Sequence, residues 1–348
     1  MREWIESLGA GRDLSVAEAE SAAEALLEPG RSDGERADFL RALSAKGESP
    51  AEIEGFVAAF LRHAVDPGLV EADLPGPVID IVGTGGDRLN LFNVSTTAMF
   101  VLAGGGACVV KHGNRAVTSH SGGADVLEAL GVRIDLPPAR FAECVRQAGL
   151  GFLFAPLYHP AFKVIGPARR QLAAEGLPSI LNLLGPLLNP ARPSRQLIGV
   201  YEERMGPMLA TQMERLGRKS AWVVYGNTED GTGMDECSAL GPTAVWAWDG
   251  RAHSQHTLHP REHGLEGGTL ADLTGGDAAA NAAITRGILD GTIRDARRRM
   301  AALNAAAGFV VAGLAPDLET GLARARESID SGAAEERLAA LVRATQGS

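Results

Sequence analysis

Residues 83–132 read GTGGDRLNLFNVSTTAMFVLAGGGACVVKHGNRAVTSHSGGADVLEALGV. A tight Gly-rich turn, a hydroxyl cluster and a basic Lys-His-Gly-Asn-Arg segment stand around two apolar runs. Glycines let backbone N–H groups approach phosphate oxygens closely. Asn93, Ser95 and Thr96 open the helix that follows, where unpaired N–H donors and the helix dipole favour an anion. Lys111 and Arg115 add compensating positive charge. This is the material of a pocket for a heavily charged phosphate ester. GTGGD by itself is also an ordinary turn after a buried strand, and it fits neither the dinucleotide-binding glycine spacing nor the P-loop pattern, which ends in Gly-Lys-Ser/Thr.

Working outward, short apolar strands alternate with helical patterns: VIDIV before the turn, a helix through STTAMFVLAGGG, then ACVVK, a helix ADVLEALG, and later AWVVYG. That alternation predicts an α/β lobe with crossover connections. The first seventy residues read instead as helices. Ser15 caps VAEAESAAEALL with Glu18 three residues on, and Asp33 and Ser49-Pro50 introduce two more. The Pro-rich residues 73–77 serve as a linker. From Asp277 an Ala-rich tail reads as helices that close the α/β lobe, with Asn281, Ala282 and Leu289 on the inward pattern and charged outer faces beyond.

With 348 residues the chain can bury a sizeable core in two lobes. No apolar run approaches the roughly 20 residues that span a bilayer, and the charged start MREWIESLGAGRDLS is unlike a signal peptide. Three cysteines (Cys108, Cys144, Cys237) without a CxxC pair fit a reducing cytoplasm, and Cys108 sits in an apolar run as a packing residue. A net charge of −10 and few aromatic residues disfavour a nucleic-acid surface.

Two further signals remain open on the residues alone. The adjacent Asp235-Glu236, after the buried AWVVYG, is either a solvated loop or a pair of hard oxygen ligands suited to Mg²⁺. Arg169-Arg170 is either surface charge or a planar guanidinium handle for a carboxylate. His112 and His159 are read as hydrogen-bonding or packing residues.

Residues 80–132 resemble the phosphoribosyl-diphosphate-binding core of the anthranilate phosphoribosyltransferase family. The resemblance continues in FLFAPLYHPAFKVIGPARRQL, LNLLGPLLNPARPSRQLIGVY, MDECSA and GGDAAANAAI, and so covers nearly the whole chain. More distantly the chain resembles pyrimidine nucleoside phosphorylases, whose reaction is an alternative, as are a different aromatic acceptor and a non-catalytic nucleic-acid-binding relative. The resemblance implies a small, mainly helical, discontinuous N-terminal domain (1–72, with a returning segment about 165–190). It implies a larger α/β domain (73–164 and 191–348) with a central mixed sheet surrounded by helices.

It implies transfer of a phosphoribosyl group from phosphoribosyl diphosphate to the amine of anthranilate, in tryptophan synthesis. Phosphoribosyl diphosphate would lie across Gly83, Thr84, Gly85, Gly86 and Asp87; Asn93, Val94, Ser95 and Thr96; Lys111, His112, Gly113, Asn114 and Arg115; and Ser119 and Gly123. Anthranilate would enter between the lobes, against Gly83, Asn114, His159 and Arg169. Mg²⁺, two ions per site, would be held by Ser95, Asp235 and Glu236. No residue is assigned as acid, base or nucleophile, and the expected assembly is a cytoplasmic homodimer through the helical domain, with no nucleic-acid or membrane partner. The sequence departs from the family at Leu91 and Leu188, each replacing a frequent threonine, and in the long acidic loop GNTEDGTGM before Asp235.

Overall fold

The computed structural model describes residues 1–116, 120–265 and 267–347. The chain divides into two compact units, 1–66 with 155–190 and 67–154 with 191–348.

The first unit is helical: α1 (Arg2–Gly9), α2 (Val16–Leu27), α3 (Asp33–Lys46) and α4 (Pro50–Arg62). The starts of α2, α3 and α4 are fixed by three capping boxes, at Ser15/Glu18, Ser32/Glu35 and Ser49/Glu52, in which hydroxyl and carboxylate each take up an N–H the helix cannot satisfy itself. Ser32 caps α3, so Asp33 is its first residue rather than the introducing one. Glu52 is fully buried and does double duty, accepting the N–H groups of Leu14 and Ser49 and the Lys46 ammonium at 2.9 Å.

The second unit begins with β1 (Val78–Gly83), α5 (Val94–Gly104), β2 (Cys108–Gly113), α6 (Gly123–Ala129), α7 (Pro138–Ala148) and β3 (Leu150–Phe154). The chain then returns to the helical unit as α8 (Ala155–Tyr158), α9 (Phe162–Ala174) and α10 (Ile180–Leu184). The return thus starts at Ala155, earlier than the 165 expected. The reason is local: β3 runs directly into α8, and the Tyr158 carbonyl accepts the Val65 N–H at 2.8 Å within the helical unit. Phe162 of α9 then packs edge-on against Phe60, in a cluster with Phe56 and Phe39, and Glu175 takes both arms of the Arg41 guanidinium.

The chain re-enters the second unit with β4 (Arg195–Gly199), α11 (Met205–Arg215), β5 (Ser220–Asn227), β6 (Gly233–Met234), β7 (Thr243–Trp248) and β8 (His253–Leu258). It closes with α12 (Ala278–Leu289), α13 (Ala296–Ala312), α14 (Leu318–Asp330) and α15 (Ala333–Gln346). The sheet runs β3-β2-β1-β4-β5-β7-β8, with β6 hydrogen-bonded to β5. Its first five strands are parallel, and β6, β7 and β8 are antiparallel, giving the mixed sheet expected. The parallel strands are mostly apolar, as strands covered by helices are, with Asp80, Lys111 and Gln196 among the buried polar exceptions. α13 is buried on nearly every side and packs on α5 and α14, where Gly308 stands so close to Leu102 that a Cβ would come within 2.7 Å of it. All three cysteines are buried and unpaired, and burial pushes the Cys108 thiol up to about 12. Among the described residues, no helix is long and apolar enough to cross a membrane.

The Glu52 junction gives a direct test. Glu52→Ala removes a buried carboxylate from two N–H donors and an ammonium that is itself mostly buried. The cost should be about 3 kcal/mol, read as a lower urea midpoint for the helical unit.

Candidate active site

From β1 the chain winds through β2 to β3 on one side of the sheet, while β4 and β5 extend it on the other. The carboxyl ends of β1 and β4 therefore flank the point where strand order reverses, the place where open α/β sheets leave a crevice for ligands. There the last register pair is Gly83 opposite Gly199, and the Thr84 N–H donates to the Gly199 carbonyl at 2.9 Å. The loop then turns through left-handed backbone at Gly85, Gly86, Arg88 and Asn90. Gly86 lies against the Tyr201 ring, where a Cβ would meet Cε1 at 3.2 Å. The Thr84 hydroxyl is buried without a hydrogen-bond partner among the described residues.

The acidic pair reaches this point by a hairpin. Residues 228–232, the long loop of the sequence, close on themselves through the Thr228 N–H to the Thr232 carbonyl, and β6 pairs back on β5. The extra residues thus form the tip of the hairpin, while Asp235 and Glu236 cross the strand ends. Glycine makes the crossing possible. A Cβ at Gly199 would fall on the Asp235 carbonyl, one at Gly83 on its carboxylate, and one at Gly226, at the end of β5, on the Glu236 carbonyl.

Asp235 Oδ2 accepts the Gly85 N–H at 2.6 Å, and Glu236 Oε1 accepts the Ser95 N–H at 3.2 Å, at the start of α5. Lys111, buried on β2, donates Nζ to the Ile81 carbonyl at 2.5 Å and to Ser95 Oγ at 3.1 Å. Gly83, Gly85, Ser95, Lys111, Asp235 and Glu236 are thus gathered at one point. Burial, with the charge of Asp87 added, pushes the Asp235 carboxyl up to about 7. Burial and the Asp235 charge push Glu236 well up, and burial pushes the Lys111 ammonium down. Two half-buried carboxylates beside one buried lysine are short of positive charge. Among the described residues no three acidic, histidine or cysteine side chains form a complete metal cage. A hard cation that shares its coordination with phosphate oxygens suits such a donor set.

The remaining expected residues divide. Thr96 is buried beside Gly123, where a Cβ would meet its Oγ1 at 3.0 Å. Val94 is buried at the first turn of α5. Asn93 precedes α5 but does not cap it: Oδ1 accepts from Asn281 Nδ2 at 2.8 Å, and Nδ2 donates to the Ser121 carbonyl at 3.2 Å. The His112 N–H donates to Asp80 Oδ1 at 3.4 Å, whereas Asn114 is exposed beyond Gly113 with Oδ1 on the Arg115 N–H. Arg115 is ion-paired with Asp125 and Glu128 and lies over the Phe154 ring, so its charge is already engaged. Ser119 lies outside the described residues. In the helical unit, buried His159 is held through Nε2 to the Leu188 carbonyl at 2.8 Å, and burial lowers its pKa. Arg169 is exposed on α9 and makes no hydrogen bond or ion pair among the described residues.

Leu91 is set by the backbone. It bridges Thr274, with the Phe92 N–H on the Leu273 carbonyl and the Gly275 N–H on the Asn90 carbonyl. Sequence reading missed Gly199, Gly226 and Asn304. The signals were present as a glycine ending each of two apolar strands and as an asparagine within an Ala-rich helix.

Residues 75–335 match the glycosyl transferase family a/b domain and residues 2–64 its helical bundle domain. The chain therefore belongs to this glycosyl transferase family. Within it, the chain is 45% identical over 348 residues to the anthranilate phosphoribosyltransferase of Chloroflexus aggregans, covering 100% of this chain and 99% of the relative. The crystal structure of the Thermus thermophilus anthranilate phosphoribosyltransferase superposes with a TM-score of 0.89 at 38% identity, covering 99% of both chains. That of the Saccharomyces cerevisiae enzyme, in complex with PRPP and Mg, does so with a TM-score of 0.85 at 26% identity, covering 99% of this chain and 97% of that one.

Gly199→Ala should displace the acidic crossing. Because a shift of about 1 Å at a reacting site can cost about a hundredfold, kcat/KM should fall by that order. A loss of only a few-fold would mean that the crossing is not fixed by this contact. The raised Asp235 pKa has its own signature. In the ligand-free protein the folded chain keeps a proton that the unfolded chain releases, so this group's contribution to stability falls as pH rises from about 4 to about 7. Subtracting the denaturation profile of Asp235→Asn from that of the natural sequence should isolate this decline.

Proposed function

We propose that the protein transfers the phosphoribosyl group of 5-phosphoribosyl 1-diphosphate to the amine of anthranilate, giving N-(5-phosphoribosyl)anthranilate and diphosphate, a step of tryptophan synthesis. The observation that carries the reading is the convergence of a glycine-rich phosphate-type turn, a helix start, Lys111 and a half-buried acid pair at the sheet's switch point, in a chain alike over its full length to enzymes of that name.

The N–H of Gly86, with the Thr84 and Ser95 hydroxyls and the Lys111 ammonium, suits the phosphate oxygens of the donor. Asp235 and Glu236, with Ser95 Oγ, would hold Mg²⁺, two ions in this reading. When bound, Mg²⁺ neutralises charge that builds on the departing diphosphate. Arg169 offers its unengaged fork to the anthranilate carboxylate, and Asn114 its amide. The aromatic amine is already a free nucleophile: its lone pair forms the new bond to the anomeric carbon while the bond to diphosphate oxygen breaks. No side chain need supply a nucleophile. The proton is lost from nitrogen afterwards, and His159, tied to a carbonyl and kept neutral by burial, needs no part in it. Catalysis then rests on alignment and on charge compensation. A cytoplasmic homodimer through the helical unit belongs to the same proposal.

The test follows anthranilate fluorescence with phosphoribosyl diphosphate and Mg²⁺. Arg169→Ala should raise the KM for anthranilate by roughly 10- to 100-fold, the worth of a charge-assisted bidentate contact, and leave the KM for phosphoribosyl diphosphate nearly unchanged. Equal effects on both constants would assign Arg169 a structural role. Turnover of another aromatic amine in preference to anthranilate would move the acceptor assignment.

A further inference from the structure

The acid pair is held at a second point besides the strand-end glycines, at the residue that follows it. Asn304, in the middle of α13, accepts the Cys237 N–H on Oδ1 at 2.9 Å and donates Nδ2 to the Cys237 carbonyl at 2.9 Å. Its second amide hydrogen goes to the Met300 carbonyl at 3.0 Å. The side-chain amide thus copies a strand partner, closing a two-point ring on the residue that directly follows Glu236. Asn304 is the one buried polar residue of α13, among alanines, glycine and large apolar side chains. A polar group in such a place costs stability unless its partners are worth having, and here both amide hydrogens and the amide oxygen are engaged. Beyond the clamp, the Ser238 N–H is taken by Thr243 Oγ1, and the Ser238 hydroxyl donates to the Asn227 carbonyl. The Asp235-Glu236 peptide therefore lies between Gly199 and Gly226 on one side and the Asn304 amide just downstream.

We infer that Asn304 is a positioning residue for the Asp235-Glu236 pair, setting where the two carboxylates meet the cation. The inference rests on reading that pair as cation-holding. Asn304 touches neither substrate nor cation, and acts through the Cys237 backbone. An aspartate there would keep the acceptor for the Cys237 N–H but set an oxygen against the Cys237 carbonyl. An alanine would leave both backbone groups of Cys237 buried without this partner.

The probe is Mn²⁺ with inorganic diphosphate, bound to the full chain and read by the loss of the free Mn²⁺ paramagnetic resonance signal. Asn304→Ala should weaken Mn²⁺ binding about tenfold, the usual scale for removing a group that orients a metal ligand, and Asn304→Asp should weaken it by less. In turnover both should raise the KM for phosphoribosyl diphosphate and leave that for anthranilate unchanged. Leu322→Ala, a buried truncation on α14, is the control for stability alone and should lower Tm without changing Mn²⁺ affinity. Should Asn304→Ala fail to fold, Asn304→Asp carries the test. Natural Mn²⁺ affinity in the Asn304 variants, or an equal loss in Leu322→Ala, would overturn the positioning role. The double variant Asp235→Asn, Glu236→Gln separates the two readings. If it too binds Mn²⁺ normally, the cation-holding assignment fails and takes this inference with it. If it alone loses Mn²⁺, only the inference about Asn304 fails.

Discussion

The arrangement depends on one close approach of backbone to backbone. The segment carrying Asp235 and Glu236 crosses directly over the carboxyl ends of β1, β4 and β5, and it can do so because each strand carries a glycine at the crossing: Gly83 and Gly199 as last residues and Gly226 next to last. Were Cβ atoms present at these positions, the segment would stand off the sheet. Asp235 would then lose the Gly85 N–H and Glu236 the start of α5. The glycine-rich turn and the acid pair, 150 residues apart in the chain, form one unit only through this contact.

That contact sets the electrostatics. Bringing two carboxylates together on a half-buried ledge raises both pKa values, and a single buried lysine offsets only part of the cost. The ledge thus stores an unmet demand for positive charge, beside N–H groups that favour anions. A divalent cation accompanied by a diphosphate satisfies both at once, whereas either alone leaves one demand open. Arg115 shows the contrast. It belongs to the same basic segment as Lys111, yet its guanidinium is consumed by Asp125 and Glu128, so the positive charge left facing the ledge from this segment is that of Lys111.

Much of this was legible in the sequence because it is local. The capping boxes at Ser15 and Ser49 are short-range patterns, and the apolar runs VIDIV, ACVVK and AWVVYG each became a buried strand. The parallel part of the sheet followed from their alternation with helices. What stayed hidden was long-range. The length of GNTEDGTGM stands out in the sequence as a departure from the family, but hairpin pairing with β5, which no local signal announces, puts its middle at a tip. Asn93 reads as a helix cap; its partner, Asn281, lies on α12 and pulls the side chain away from the helix N-terminus. Leu91 reads as a lost hydroxyl, while the structure holds that position by a backbone bridge to Thr274.

Asn281 and Asn304 have a common logic. Each lies buried on a C-terminal helix and fixes a ligand-bearing segment, Asn281 the entry to α5 through Asn93 and Asn304 the acid pair through Cys237. Both use neutral amides. A charged clamp could make hydrogen bonds as strong or stronger, but it would also shift the pKa values of the neighbouring carboxylates. An amide offers a donor and an acceptor on one rigid plane and adds no net charge. In a reaction whose nucleophile arrives ready-made, the protein's contribution is alignment, and neutral clamps let alignment be fixed without retuning the charges it serves.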